Sequence, residues 1–300
     1  MMAPCKFFGT NANMNTIDLR KAFSEKPPEL DFIWPGFLAG TVGALIAPGA
    51  TGKSFLALEA AMAVACDIAG GDLVGLAPAH TGCVAYIAGE DPTPVLVARI
   101  HAIGTRLGQS AREVIAENMT IKSIMGEPLD ITDDKDLKKL IEWCAGTRLI
   151  VLDTLSRIHR MDENSNSNMA HVITMLEHVA NTVGAAVLYL HHTNKTSAVN
   201  GLVDQQAARG ASALIDNARW CGYVAKMTAE EAERLTDRTY DQTPIGDRRH
   251  SFVKFGTSKI NYGISQPDRW LQRCNCGVLE PVTLRKVCES SNKGRNRGKA

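Results

Sequence analysis

No run of about 18 uncharged apolar residues occurs in the 300-residue chain, which excludes a membrane-spanning helix. The first residues lack a continuous apolar stretch ahead of a small-residue cleavage site, so no secretory signal is expected. Net charge is only +1, so no global field advertises a nucleic-acid partner. The eight cysteines, at positions 5, 66, 83, 144, 221, 274, 276 and 288, have no framework spacing. They suit a reducing cytoplasm better than a disulfide scaffold. Cys274 and Cys276 form a C-x-C without the second close ligand pair that a zinc site calls for. No internal repeat is present. What remains is an ordinary globule, 45% hydrophobic and 22% charged, sized for one large α/β domain or two small ones.

The strongest positive signal is Ala47-Pro-Gly-Ala-Thr-Gly-Lys-Ser54, which follows the apolar run Thr41–Ile46. It reads as strand, glycine-rich loop and helix, the layout of a Walker A phosphate-binding loop. Gly49 and Gly52 can take positive φ and turn successive N–H groups inward. Lys53 then reaches the terminal phosphates of ATP, and the Ser54 hydroxyl completes a Mg²⁺ shell. The helix that follows aims its positive dipole end at the same phosphates. Pro48, Gly49, Ala50, Thr51, Gly52, Lys53, Ser54 and Phe55 are thus the candidate cradle. Ala47 stands where the motif has its first glycine.

Apolar runs and helical periods alternate downstream. Strands are expected at 42–46, 83–88, 149–152, 186–190 and 219–225. Helices are expected from Lys53 to about Ala69, and over about 94–107, 133–145, 169–183 and 229–235. A short leader helix is expected from a Thr16 cap to Phe23, and residues 162–168 read as a polar loop. Strands alternating with helices predict an α/β fold, a mostly parallel sheet covered on both faces. Closely spaced late strands near 252–255 and 270–272 predict antiparallel additions at one edge. Residues 1–29 read as a flexible leader with that short helix, 30–284 as the folded domain. Residues 285–300 carry six Lys/Arg against one Glu and read as a disordered basic tail.

Other constellations fit a nucleotide site. Leu149-Ile-Val-Leu-Asp153 is an apolar strand ending in a carboxylate, about a hundred residues after the loop, as a Walker B Asp would be placed to hold Mg²⁺. Glu90 and Asp91 close another strand. Glu90 suits the base that polarises the attacking water, and Asp91, ahead of Pro92, suits a helix cap. His191-His192 ends a further strand, where a histidine beside the phosphates would sense the nucleotide state. The pair also invites a metal reading, for which no additional ligands are evident. Arg209, Arg219 and Lys259 are candidate cations for a nucleotide held by a neighbouring subunit.

Taken in order, these residues resemble the RepA-type hexameric replicative helicases of broad-host-range plasmids, a branch of the RecA/DnaB-like ATPases. The resemblance runs from Leu30 to about Leu284. It rests on Leu30-Asp31-Phe32, Ala39–Leu45, Pro48-Gly49 with Gly52-Lys53-Ser54, Glu90-Asp91-Pro92, Val151–Leu155 and Leu190-His191-His192. It continues through Asp204–Gln206, Arg209-Gly210, Asp216-Asn217, Arg219-Trp220, Ser258-Lys259 and Asn261–Gly263.

It implies a RecA-like core, a homo-hexameric ring, ATP and Mg²⁺ as cofactors, and movement along single-stranded DNA. An origin-binding initiator and a primase are implied partners. By resemblance Glu90 is the catalytic carboxylate, Asp153 the Walker B residue, His192 the γ-phosphate sensor and Arg219 the favoured trans finger. Arg99 matches an arginine near the active site or central channel, and 193–209 would be a pore-facing DNA loop. Around Lys195 the sequence departs from the family. The chain also carries extra N-terminal residues, with Met14 an alternative start. Two other readings share the loop: a RecA-like regulatory or recombination-accessory ATPase that does not unwind DNA, and a nucleotide-bound replication scaffold.

Overall fold

The computed structural model describes residues 16–192, 212–264 and 266–287. The chain divides after Leu30. In the N-terminal unit, helix α1 (Leu19–Ser24) is capped by Asp18, whose carboxylate accepts from the Arg20 and Lys21 amides. The expected cap, Thr16, lies two residues upstream of it.

The larger unit is built on a sheet that has nine strands among the described residues. A small hairpin, β1 (Phe32–Trp34) and β2 (Phe37–Leu38), precedes it. The parallel strands are β3 (Val42–Ala47), β4 (Val84–Ala88), β5 (Met119–Ser123), β6 (Leu149–Asp153), β7 (Ala186–His192) and β8 (Trp220–Lys226). Their spatial order is β8-β3-β7-β6-β4-β5. A two-stranded pair joins β9 (Leu235–Thr236) to the last strand. Beyond β8, the strands β10 (Phe252–Ile260), β11 (Arg269–Arg273) and β12 (Leu279–Val282) continue the sheet antiparallel. The α/β sheet with an antiparallel edge, expected from the strand spacing, is therefore present.

The helices are α2 (Lys53–Ala65), α3 (Thr93–Gly104), α4 (Gln109–Asn118), α5 (Asp134–Trp143), α6 (Asn166–Val183), α7 (Ser212–Asn217) and α8 (Ala229–Arg234). They cover both faces because the central strands are apolar on both. Along β6, Leu149 and Val151 join the core under α2 and α3. Ile150 and Leu152 join the core under α5 and α6. This is the two-residue period of a strand serving two hydrophobic layers. Helix α2 is buried nearly all round, and Ala57, Ala60 and Ala61 let it lie close on the sheet.

Several boundaries differ from expectation. α2 stops at Ala65 rather than near Ala69, because Cys66 is already extended at φ −126°. α6 begins at Asn166, inside the expected loop, because the Ser165 hydroxyl accepts from the Asn168 amide and caps it. The last strand, β13 (Arg285–Lys286), pairs with β9, so the first residues assigned to the basic tail belong to a sheet. Residues 288–300 lie outside the described part. Among the described residues, no helix is long and apolar enough to cross a membrane.

Candidate nucleotide site

Four parallel strands deliver the expected site residues to one end of the sheet. Ala47, the last residue of β3, lies opposite His192 of β7. Ala88 of β4 lies opposite Asp153 of β6. The loop after β3, Glu90 after β4, Asp153 and His192 therefore cluster where strands end and loops begin, the usual crevice of an open α/β sheet.

The loop geometry corrects one expectation. The positive φ angles fall on Ala50 (58°) and Gly52 (95°), not on Gly49. Ala47 keeps ordinary strand geometry, fully buried, so no glycine is required there. The Thr51 hydroxyl donates to the Pro48 carbonyl at 2.8 Å and closes the turn. Gly52 caps α2 without a side-chain bond, and the first turn of α2 holds no acid. The free N–H groups of that turn and its dipole are left for an anion.

Lys53 faces this corner, 5% exposed. Its Nζ has no hydrogen-bond partner among the described residues. Burial pulls the ammonium down to about 8, with Asp153 and Glu90 opposing the shift. A buried cation without a bonded partner, beside an uncapped helix start, fits a polyphosphate.

Asp153 is 4% exposed, and the Tyr86 hydroxyl donates to its Oδ2 at 2.7 Å. Burial raises its carboxyl, while Tyr86, Ser54 and Lys53 hold it down. The Ser54 hydroxyl and the Asp153 carboxylate present two hard oxygen donors side by side, the donor type Mg²⁺ takes while retaining waters. The Thr154 hydroxyl donates to the Leu190 carbonyl at 2.6 Å and ties the ends of β6 and β7 together.

Glu90 is partly exposed, with His192 Nε2 at 3.6 Å and Arg157 Nε at 3.8 Å from its carboxylate. Sequence reasoning missed Arg157, from the turn after β6. A Cβ on Gly89 would come within 2.4 Å of the Arg157 Cβ, so Arg157 packs directly over the residue before Glu90. His191 is held neutral: burial first, then the charge of Lys53, pulls it down to about 4.

Asp91 does not cap α3; Pro92 occupies that position. Asp91 instead accepts both guanidinium nitrogens of Arg99, at 2.5 and 3.0 Å. Arg99 also lies over the Phe55 ring, 5.5 Å from its centroid. The bidentate pairing outcompetes the cap because both partners are largely buried.

Arg219 and Lys259 are elsewhere. Trp220 lies opposite Gly43 near the start of β3, and Ile260 lies opposite Trp220. At about 3.3 Å per residue, the span of β3 puts this end about 16 Å from the loop. Arg219 approaches Glu177 of α6 at 3.8 Å. Lys259 Nζ donates to the Asp216 and Ile215 carbonyls, at 2.5 and 3.3 Å, at the end of α7. Arg209 and the expected pore loop lie outside the described residues.

The model of a family described as AAA domain matches residues 12–198, well over half the chain. Among solved structures, the ATPase domain of G40P matches with a TM-score of 0.50 and 12% identity, over 79% of this chain and 82% of that one. At that identity the likeness speaks to the fold, which is that of a RecA-like P-loop NTPase. With the phosphate loop, the buried Lys53 and the Asp153 strand end in place, the chain belongs to the AAA domain family of P-loop ATPases.

Proposed function

We propose that this protein is an ATP-driven DNA helicase of the RepA type, acting as a homo-hexameric ring on single-stranded DNA in plasmid replication. The observation that carries the reading is the division of charge between the two ends of the sheet. Lys53, Ser54, Glu90, Asp153 and His192 converge at one end, while Arg219 lies about 16 Å away at the other. A cation that far from its own loop meets a phosphate only on a second copy. Of the two described candidates, Lys259 is engaged by helix-end carbonyls, whereas among the described residues the Arg219 guanidinium has only a long contact to Glu177. That supports Arg219 as the finger in this reading.

Within one site, the loop amides and Lys53 would bind the polyphosphate, and Ser54 and Asp153 would hold Mg²⁺, which would supply charge neutralisation at the phosphates. Glu90 orients and deprotonates water. His192, 3.6 Å from Glu90, relays the nucleotide state to the segment it immediately precedes, 193–209. Contacts of that segment to DNA phosphates would be sequence-tolerant and salt-sensitive.

The test is unwinding of forked DNA carrying either a 5′ or a 3′ tail. Wild-type protein with ATP should open the 5′-tailed fork, and Lys53→Ala should not. Arg219→Ala subunits doped into wild type should depress ATPase more than in proportion to their share. Failure of the wild type on both forks refutes helicase action. ATPase indifferent to single-stranded DNA would instead support a regulatory ATPase, and absent hydrolysis a scaffold.

A further inference from the structure

The hairpin β11–β12 brings a residue that no sequence motif marks onto the phosphate loop. Its turn, Cys274 to Gly277, rests on the first turn of α2: a Cβ on Gly277 would lie 2.6 Å from the Phe55 ring. The Leu279 amide donates to Glu59 Oε1 at 2.9 Å and fixes the hairpin to α2. Arg273, the last residue of β11, then points its guanidinium at the loop. Its terminal nitrogen is 3.3 Å from where a Cβ would stand on Gly52.

Several other arginines of this unit are neutralised by a carboxylate. Arg99 has Asp91, Arg148 has Asp31 and Arg248 has Asp237. Among the described residues, the Arg273 guanidinium has no hydrogen bond and no ion pair. The nearby acids are engaged elsewhere. Glu280 pairs with Arg106 at 3.1 Å. Glu59 is 1% exposed, and burial favours its neutral form. At Gly52, then, a guanidinium without an ion pair lies beside a helix start that has no side-chain cap, and the next residue, Lys53, has a buried ammonium with no hydrogen-bond partner among the described residues. A helix N-terminus and a guanidinium are both positive, and an anion between them would be attracted by each.

We propose that Arg273 is a second nucleotide-binding cation, supplied by the same chain as the loop, that contributes its charge to a polyphosphate at the N-terminus of α2. The proposal rests on the reading of this corner as a nucleotide site. It makes the antiparallel edge of the sheet one wall of that site, distinct from the cation that Arg219 offers to another copy. Glycine at position 52 has a second use in this arrangement, since a side chain there would press on the guanidinium.

The experiment is fluorescence titration of the full chain with mant-ADP and mant-adenosine at low salt. Arg273→Gln should weaken mant-ADP binding about tenfold or more, the size of one lost charge-assisted hydrogen bond. Arg273→Lys should recover most of that loss, and mant-adenosine binding should not change. Equal mant-ADP affinity within twofold for wild type and Arg273→Gln overturns the proposal. So does a parallel loss of mant-adenosine, or loss of the native circular-dichroism spectrum, since either assigns Arg273 a structural role. Wild type that binds no mant-ADP overturns the nucleotide reading itself, and Arg273 with it. Wild type that binds while Lys53→Ala does not leaves that reading intact, and the Arg273 variants decide.

Discussion

Replacing Lys53 with Met should make the nucleotide-free protein more stable while abolishing its response to nucleotide. The ammonium is 5% exposed and its Nζ lacks a hydrogen-bond partner. Burial lowers its pKa from 10.5 to about 8. At 1.36 kcal/mol per pH unit, that gap is a penalty of about 3 kcal/mol on the folded state. The sign follows from proton binding. Below pH 8 the lysine is charged in both folded and unfolded chains, and the full penalty is present. As pH rises from 8 towards 10.5 the folded chain sheds the proton first, and the penalty is relieved. Methionine has similar length and no charge, so at pH 7 the variant should gain about 3 kcal/mol, or roughly 6 °C in Tm for a chain of this size. The gain should shrink above pH 8 and vanish above pH 10.5. Calorimetry at pH 7 and pH 10, with and without Mg-ATP, reads both effects. Wild type should rise with nucleotide by mass action, and the variant should not. A variant that melts at or below the wild type at pH 7 without nucleotide would show that the buried ammonium carries no such penalty, and one that still responds to Mg-ATP would show that Lys53 is not needed to hold the nucleotide.

Three further changes follow from the same geometry. Burial raises Glu59 from 4.5 to about 8, so wild-type stability should fall as pH climbs through that window. Glu59→Gln keeps an acceptor for the Leu279 amide and should flatten the profile, with an advantage of up to about 5 kcal/mol at pH 9 in thermal melts; an unchanged slope would assign the pH dependence to another group. Tyr86→Phe removes the buried 2.7 Å bond to Asp153 and should cost about 1.5–3 kcal/mol in urea unfolding. A cost below ~0.5 kcal/mol would show that the bond contributes little. Gly89→Ala puts a Cβ 2.4 Å from Arg157 and should cost about 1–3 kcal/mol, with ATPase falling as Glu90 is displaced. Normal ATPase in that variant would show that Glu90 tolerates the shift.

The parallel core was legible because its strands are short apolar runs between helical periods. Val84–Ala88, Leu149–Asp153 and Ala186–His192 stand within a residue or two of expectation. β5 was not legible. As an edge strand it is only half-buried, so Met119, Ile121 and their polar neighbours give a weak signal. The start of α6 was missed because a polar first turn looks like a loop until its Ser165 cap is seen. Asp91 was misread for a related reason: its cap position is visible in sequence, whereas its pairing with Arg99, further along α3, depends on how that helix is set against the strand end.

Local chemistry along the chain was enough to place the phosphate loop, the carboxylates Glu90 and Asp153, and the strand ending in His192. Each depends on a few neighbours: a glycine-rich turn, an apolar run, a terminal acid. The assembly of the site was decided only by the folded sheet, because strand order and register set which strand ends meet. That order brings Ala47 opposite His192 and Ala88 opposite Asp153, and sends Arg219 to the far end. It also folds β11 back on α2, so that Arg273 meets a glycine some 220 residues earlier in the chain. Burial, which leaves Lys53 unpartnered and holds His191 neutral, likewise arises from packing between segments far apart in sequence.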